Sequence, residues 1–178
     1  MIEDQATLLR THPLKETDLI AVWLTSAHGI QRTAVRGALK PKSAFHGCLD
    51  LFFLCNIQWV PSKSGDLNSL TGVILLHPRL ALRSDYTRLS AAAYFAKLLL
   101  LAIEPGTPAT GQAHLLNRAL AYLEKTTPNQ RAIIHFEEEL AKINGIYAQG
   151  LPAHLALQNA FGHLPKLRQS LLSSLANA

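Results

Sequence analysis

The chain is short of charge and of cysteine, and each shortage removes a class of function. Of its 178 residues only 16% are Asp, Glu, Lys or Arg, while 48% are hydrophobic. Disordered and tail-like chains show the opposite balance, so a packed globular protein is implied. The two cysteines, Cys48 and Cys55, form no CxxC pair, which fits neither a zinc ribbon nor a disulfide framework. If residues 48–55 make one extended strand, their odd spacing sends the thiols to opposite faces, where they share no ligand and form no bridge. Both are read as small packing residues. The apolar run Leu98–Ile103 is too short to span a bilayer, so no membrane association is expected. The acidic start Met1–Gln5 is not followed by the apolar core of a secretory signal, which makes the cytoplasm the default location.

Catalytic signatures are missing as well. There is no GxxxxGK[ST], no GxGxxG after a strand, no HExxH and no GxSxG. The eight histidines, His12, His28, His46, His77, His114, His135, His154 and His163, are scattered without a metal-ligand spacing and read as surface or core-edge residues. Glu137, Glu138 and Glu139 would fan over roughly 200° of a helix and so read as a solvated face. No catalytic residue, metal or cofactor is expected, and the chain is read as a non-enzyme.

What is present is a local concentration of positive charge. Lys and Arg number 17 against 12 Asp and Glu, a formal +5. Within residues 28–63, Arg32, Arg36, Lys40, Lys42 and Lys63 face Asp50 alone, whereas residues 1–27 set Arg10 and Lys15 against Glu3, Asp4, Glu16 and Asp18. The centre of the basic stretch, Arg36–Gly47, combines three cations with Gly37, Gly47 and Pro41 between two strand-like segments. Cations on such a connection are well placed to meet phosphate; the glycines permit close backbone approach, and the proline reduces the ordering entropy lost on binding. The plain alternative is a solvated turn. Of the aromatic residues, Trp23, Phe52, Phe53 and Trp59 read mainly as core, and Phe45, beside Lys40 and Lys42, as an exposed stacking ring.

The first ~75 residues alternate strand-like segments with turn signals at the spacing of a small all-β barrel. Residues 5–12, 17–26, 30–35, 49–60 and 70–76 are the five strand candidates, with a hairpin at Ala27–Gly29 and a turn at Pro61–Asp66. The fourth reads as a long strand buried on much of both faces. Five strands with one long connection suit an OB-type barrel, although an SH3-like barrel fits nearly as well on pattern. From Pro78 the pattern is helical. Ser84 and Asp85 can cap a helix running toward Ile103, residues 112–125 form a second, and Thr127-Pro128-Asn129-Gln130 reads as N-cap, first-turn proline and capping-box glutamine of a third. Residues 151–160 and 165–175 are shorter helical candidates, and 172–178 are expected to fray. The class is therefore α+β and multi-domain: a β-barrel over residues 1–77, then an all-α helical domain over 78–178, joined rigidly near His77–Pro78.

Several of these residues also follow a known pattern. Leu8-Leu9-Arg10-Thr11, Lys15–Ile20, Leu24-Thr25, His28-Gly29, Gly37-Ala38 and Lys42–Leu49 with Phe52 keep an order and spacing that resembles the N-terminal domain of the bacterial recombination mediator family RecO. Tyr94, Phe136-Glu137 and Asn144–Tyr147 resemble its helical region more loosely, so the likeness covers about residues 5–147. The resemblance implies an OB-fold domain on a helical domain, without enzymatic activity, that binds single- and double-stranded DNA and promotes strand annealing. It also implies two protein partners, RecR and the C-terminal tail of single-stranded DNA-binding protein (SSB), in loading RecA onto SSB-coated gaps in the bacterial cytoplasm, at the nucleoid. By motif the DNA-contacting face falls on Arg36, Lys40 and Lys42, with Arg10 and Arg32 as neighbours; Phe45 joins the DNA-binding candidates on its own chemistry, as the stacking ring. The SSB tail is acidic and hydrophobic, so its pocket needs apolar residues beside a cation; Arg118 and Arg131 are the candidates on chemistry. Many family members continue into a four-cysteine zinc module, but the residues after Leu151 contain no cysteine, so zinc is not expected. An adaptor of the same architecture, binding proteins but little DNA, is the alternative.

Overall fold

The computed structural model describes residues 1–176. Five strands, β1 (Ile2–Pro13), β2 (Leu19–Thr25), β3 (Gly29–Val35), β4 (Leu54–Val60) and β5 (Leu67–His77), close into a barrel in the order β1-β2-β3-β5-β4. Every pairing is antiparallel except a short parallel one, Arg32 to Ala34 of β3 against Leu67 to Ser69 of β5. That topology is the OB-fold, and it leaves residues 36–53 outside the sheet as the connection from β3 to β4.

β1 closes the barrel by pairing on both sides. Ile2 to Thr7 lie against β4, Ala6 to Pro13 lie against β2, and the register shifts between Leu8 and Arg10. Its acidic start belongs to the sheet because its carboxylates are used there. Glu3 accepts hydrogen bonds from the Asn56 and Gln58 side chains at 2.6 and 2.8 Å, which lowers its pKa, and Asp4 accepts from the Ala27 backbone N–H at 3.3 Å. Inside, Leu8, Trp23, Val35, Cys55, Ile57, Trp59 and Leu70 form the core, and the Trp23 indole N–H donates to the Thr33 hydroxyl at 2.9 Å, so the buried ring leaves no orphan donor.

The expected long fourth strand is a correction. Residues 49–53 are turns: Phe52 sits at φ 68° and the Phe53 N–H closes back on the Asp50 carbonyl at 3.2 Å. Strand geometry begins at Leu54, where Cys55, Ile57 and Trp59 point inward and Asn56 and Gln58 outward, the alternation of a sheet with one buried face. Phe52 and Phe53 are buried, as read, but in a turn tied to β1 by the Phe52 N–H to Leu8 carbonyl bond at 2.7 Å. The premise about the cysteines goes with it. Cys48 is in the loop, and the Cys55 thiol lies 3.6 Å from the Cys48 carbonyl; burial pushes that thiol up to about 12.

The helices are α1 (Tyr86–Ala102), α2 (Thr110–Lys125), α3 (Gln130–Ile143), α4 (Ala153–Phe161) and α5 (Leu167–Ala176), after a 3-10 turn at Leu80–Ser84. α5 runs through most of the segment expected to fray; residues 177 and 178 lie outside the described residues. α1 is capped by Asp85, which accepts from the Thr87 N–H at 2.7 Å, and its residues Ala91, Ala92, Tyr94, Phe95, Leu98 and Leu99 are buried. Phe95 stacks on Phe136 of α3 with centroids 3.9 Å apart. The N-cap of α3 is Asn129, which accepts from Ala132 N–H at 3.0 Å, not Thr127. The Thr127 hydroxyl instead donates to Asp85 at 2.7 Å, tying one helix start to another and lowering the Asp85 pKa.

A second correction concerns the acidic run of α3. Glu137 is fully buried, accepting from the Tyr94 hydroxyl at 2.5 Å and from the Arg168 guanidinium of α5 at 2.7 and 3.0 Å. Burial, and then the adjacent carboxylate, hold the Tyr94 hydroxyl well above its ordinary pKa, so it stays a donor. Two compact units emerge: residues 1–79 with 104–113, and residues 80–103 with 114–178.

Candidate nucleic-acid interface

The β3–β4 connection is built of consecutive turns. Lys40 N–H bonds the Gly37 carbonyl, Ser43 N–H that of Lys40, His46 N–H that of Ser43, and Cys48 N–H that of Phe45, at 3.0 to 3.2 Å. The loop start is pinned to the turn between β1 and β2: Gly37 N–H donates to the Asp18 carboxylate at 2.8 Å and Leu39 N–H to the Thr17 carbonyl at 3.0 Å. The Gly37 bond is the main reason the Asp18 carboxyl titrates below its usual range. Gly37 sits at φ 64°, a left-handed conformation that calls for glycine, and a Cβ there would meet the Lys40 stem at 3.3 Å.

Three predicted cations ride on this frame. Arg36, Lys40 and Lys42 are exposed, and no salt bridge engages them among the described residues. Arg10 and Arg32 are brought together on the adjoining wall, since both lie directly opposite Val22 on the barrel's outer face. They flank it at roughly two strand spacings, about 10 Å. Arg32 is not a bare charge, for its guanidinium is paired with Asp66. Phe45 departs from expectation: it is half-buried and packs against the barrel core instead of standing free in solvent. With Leu39, His46, Asp50 and Phe53 it encloses a cavity of about 330 Å³ beneath the loop.

The helical unit carries a second cavity, of about 430 Å³. Arg118 of α2 and Arg131 of α3, named on chemistry alone, both line it, over a floor of Phe95, Leu115, Tyr122 and Phe136. His135 also lines it, and no sequence signal singled that residue out. The buried Arg168–Glu137 pair was likewise missed, because its partners are 31 positions apart. Among the described residues no group of three His, Cys, Asp or Glu side chains gathers as metal ligands would, and no helix is long and apolar enough to cross a membrane.

Residues 1–79 match the family described as Recombination protein O N terminal, and residues 83–149 that described as Recombination protein O C terminal. The chain belongs to the RecO family. It is 37% identical over 127 residues to the DNA repair protein RecO of Cutibacterium acnes, covering 70% of this chain and 50% of that one. The RecO proteins of Gloeobacter violaceus and Gloeothece citriformis are 30% and 31% identical, over 78% and 82% of this chain and 53% and 52% of theirs. The chain thus spans about half the length of these RecO relatives.

Proposed function

We propose that this RecO-family chain is a non-enzymatic DNA-repair mediator that binds single- and double-stranded DNA through the basic loop of its OB barrel and promotes annealing of complementary strands. The observation that carries the reading is the unpaired, exposed set Arg36, Lys40 and Lys42 on a loop fixed by its own turns and by Asp18. Prefixed cations lose little entropy on meeting a phosphate chain, and lacking base-reading geometry they bind with little sequence preference. Arg10 joins them from the barrel wall, and Arg32 joins once phosphate displaces Asp66.

The cavity between Arg118 and Arg131 suits the acidic, hydrophobic C-terminal tail of SSB: the rings take an apolar side chain, and the guanidiniums take carboxylates. RecR as a second partner, and loading of RecA onto SSB-coated gaps, rest on family membership. Fluorescence anisotropy with labelled single- and double-stranded DNA across a salt series tests the reading. About four phosphate contacts give a log–log slope of roughly −3 to −4 on duplex. Affinity unchanged by Lys40→Glu with Lys42→Glu at moderate salt would remove the loop from the interface. The Arg32–Asp66 pair, which cancels one charge of the face, favours a second reading, an adaptor with weak DNA binding. Capture of RecR and the SSB tail without strand annealing would select it.

A further inference from the structure

The rim of the α2–α3 cavity holds a third basic side chain that its two arginines leave without a task. His135 lies one helical turn beyond Arg131, so the two side chains leave α3 on the same face, about 6 Å apart at their Cβ atoms. Arg118 lines the cavity from α2, one turn before Tyr122. All three residues are exposed, and none of their side chains carries a hydrogen bond or salt bridge among the described residues. Glu139, one turn after His135, shows how an anion fares there. Its carboxyl titrates below the usual range chiefly because Lys142 donates to it at 2.8 Å, and the charges of His135 and Arg118 add to the effect. A carboxylate at this place is therefore drawn from both helices at once, and Glu139 itself is engaged by Lys142.

We propose that His135 is a third anion-contacting residue of this cavity and makes its hold on an acidic peptide tail strengthen as the pH falls through neutrality. The inference rests on the reading of the cavity as the site of such a tail. An apolar side chain of the tail takes the rings of Phe95, Tyr122 and Phe136, one carboxylate takes Arg118, and a second bridges Arg131 and His135. Guanidiniums stay charged at every ordinary pH, whereas an imidazole gains its proton close to neutrality. A carboxylate seated against the ring favours the charged form, so binding takes up a proton. By linkage the added affinity is complete below the titration of the free ring and is lost as the pH rises through that of the bound ring. The other groups around the ring are of types that keep their charge in that interval: Arg131, Glu138, Glu139 and Lys142 on α3, Arg118 and Tyr122 on α2. α1 reaches the cavity through Phe95, and no residue of α4 or α5 lines it. His114, one turn before Arg118 on α2, stands outside the lining and serves as the control.

Anisotropy with a labelled SSB-tail peptide, at fixed ionic strength and at about pH 6 and about pH 8, compares the full chain with His135→Gln, His135→Lys, His114→Gln and Arg131→Glu. The substituted side chains are exposed, so the fold tolerates the changes. The full chain is expected to bind roughly three- to tenfold tighter at the lower pH. His135→Gln should bind at both pH values as the full chain does at the higher one, His135→Lys should bind tightly at both, and His114→Gln should keep the whole pH response. Calorimetry near neutrality in two buffers of different ionisation enthalpy should show proton uptake on binding by the full chain and none by His135→Gln. Equal affinity of the full chain at the two pH values, or a pH response that survives in His135→Gln, overturns the role of His135. If Arg131→Glu weakens the peptide and no pH response exists, the His135 inference alone has failed. A peptide that does not bind, or that binds Arg131→Glu as well as the full chain, removes the cavity reading and this inference with it.

Discussion

Lys40 and Lys42 stand in water on the β3–β4 loop, whereas Arg118 and Arg131 stand at the edge of a cavity walled by Phe95, Tyr122 and Phe136. Both places are basic, yet on the proposed reading they select different partners. Lysines without fixed partners meet any chain of phosphates, and salt competes with them directly. Arginines beside rings demand an apolar group next to the acid, so a partner that supplies only charge gains little there. Inside the same helical unit Arg168 has neither role, because Glu137 has already claimed it.

The comparison breaks most severely at Arg168. Arg168→Ala leaves the Glu137 carboxylate buried with only the Tyr94 hydroxyl; the expected loss is about 3 kcal/mol, near the low end for a broken buried pair because the Arg168 side chain keeps 19% exposure. Chemical denaturation of the full chain reads that loss, and DNA affinity at temperatures where the variant stays folded should not move. Next comes Lys40→Glu with Lys42→Glu, for which at least a tenfold drop in duplex affinity near 0.1 M salt and a slope shallower by about two are expected. The SSB tail should bind that variant unchanged. Arg131→Glu is the mirror image: a charged hydrogen bond is worth about 1.5–3 kcal/mol, so tail-peptide affinity should fall roughly tenfold or more by calorimetry while DNA binding stays within about twofold.

The smallest effect lies at the caps and pins. Asp85→Ala removes the α1 cap and the Thr127 bond, at about 1 kcal/mol of stability by thermal melting. Asp85, Asp18 and Glu3 all titrate below their ordinary values in the fold, chiefly through bonds from Thr127, Gly37 and Gln58 respectively. Groups depressed in this way contribute stability above their unfolded pKa, near 4, and lose it as the pH falls through the folded values. Melting temperature should therefore hold their full contribution, unchanged with pH, between pH 5 and 7 and should decline below about pH 4, less steeply in Asp85→Asn.

β2 and β3 were legible because Ile20, Val22 and Trp23 lead into an Ala27-His28-Gly29 turn, local signals that nothing overrides. Leu49–Phe53 was not, since an apolar run looks the same whether it is a strand or a turn folded onto a core, and only the left-handed Phe52 separates them. Asn129 and Thr127 are equally good caps by type; the choice fell to Asn129 because Asp85, far away in the chain, takes the threonine. The cations of the loop were readable as a cluster. That Phe45 would turn toward the core, or that Arg118 and Arg131 would share one cavity, depends on contacts between elements that no local spacing encodes.

The left-handed Phe52 has one more partner. Its carbonyl accepts from the guanidinium of Arg79 at 2.8 Å, and Arg79 is itself buried and at φ 45°. The far end of the basic loop is thus buttoned down by the last residue of the first stretch of that compact unit, two positions past the end of β5. Anyone excising the barrel as a free-standing module must carry the cut beyond Arg79, since a fragment trimmed neatly at His77 would keep every strand and every loop cation and still lose the fastening that holds the loop's exit in place.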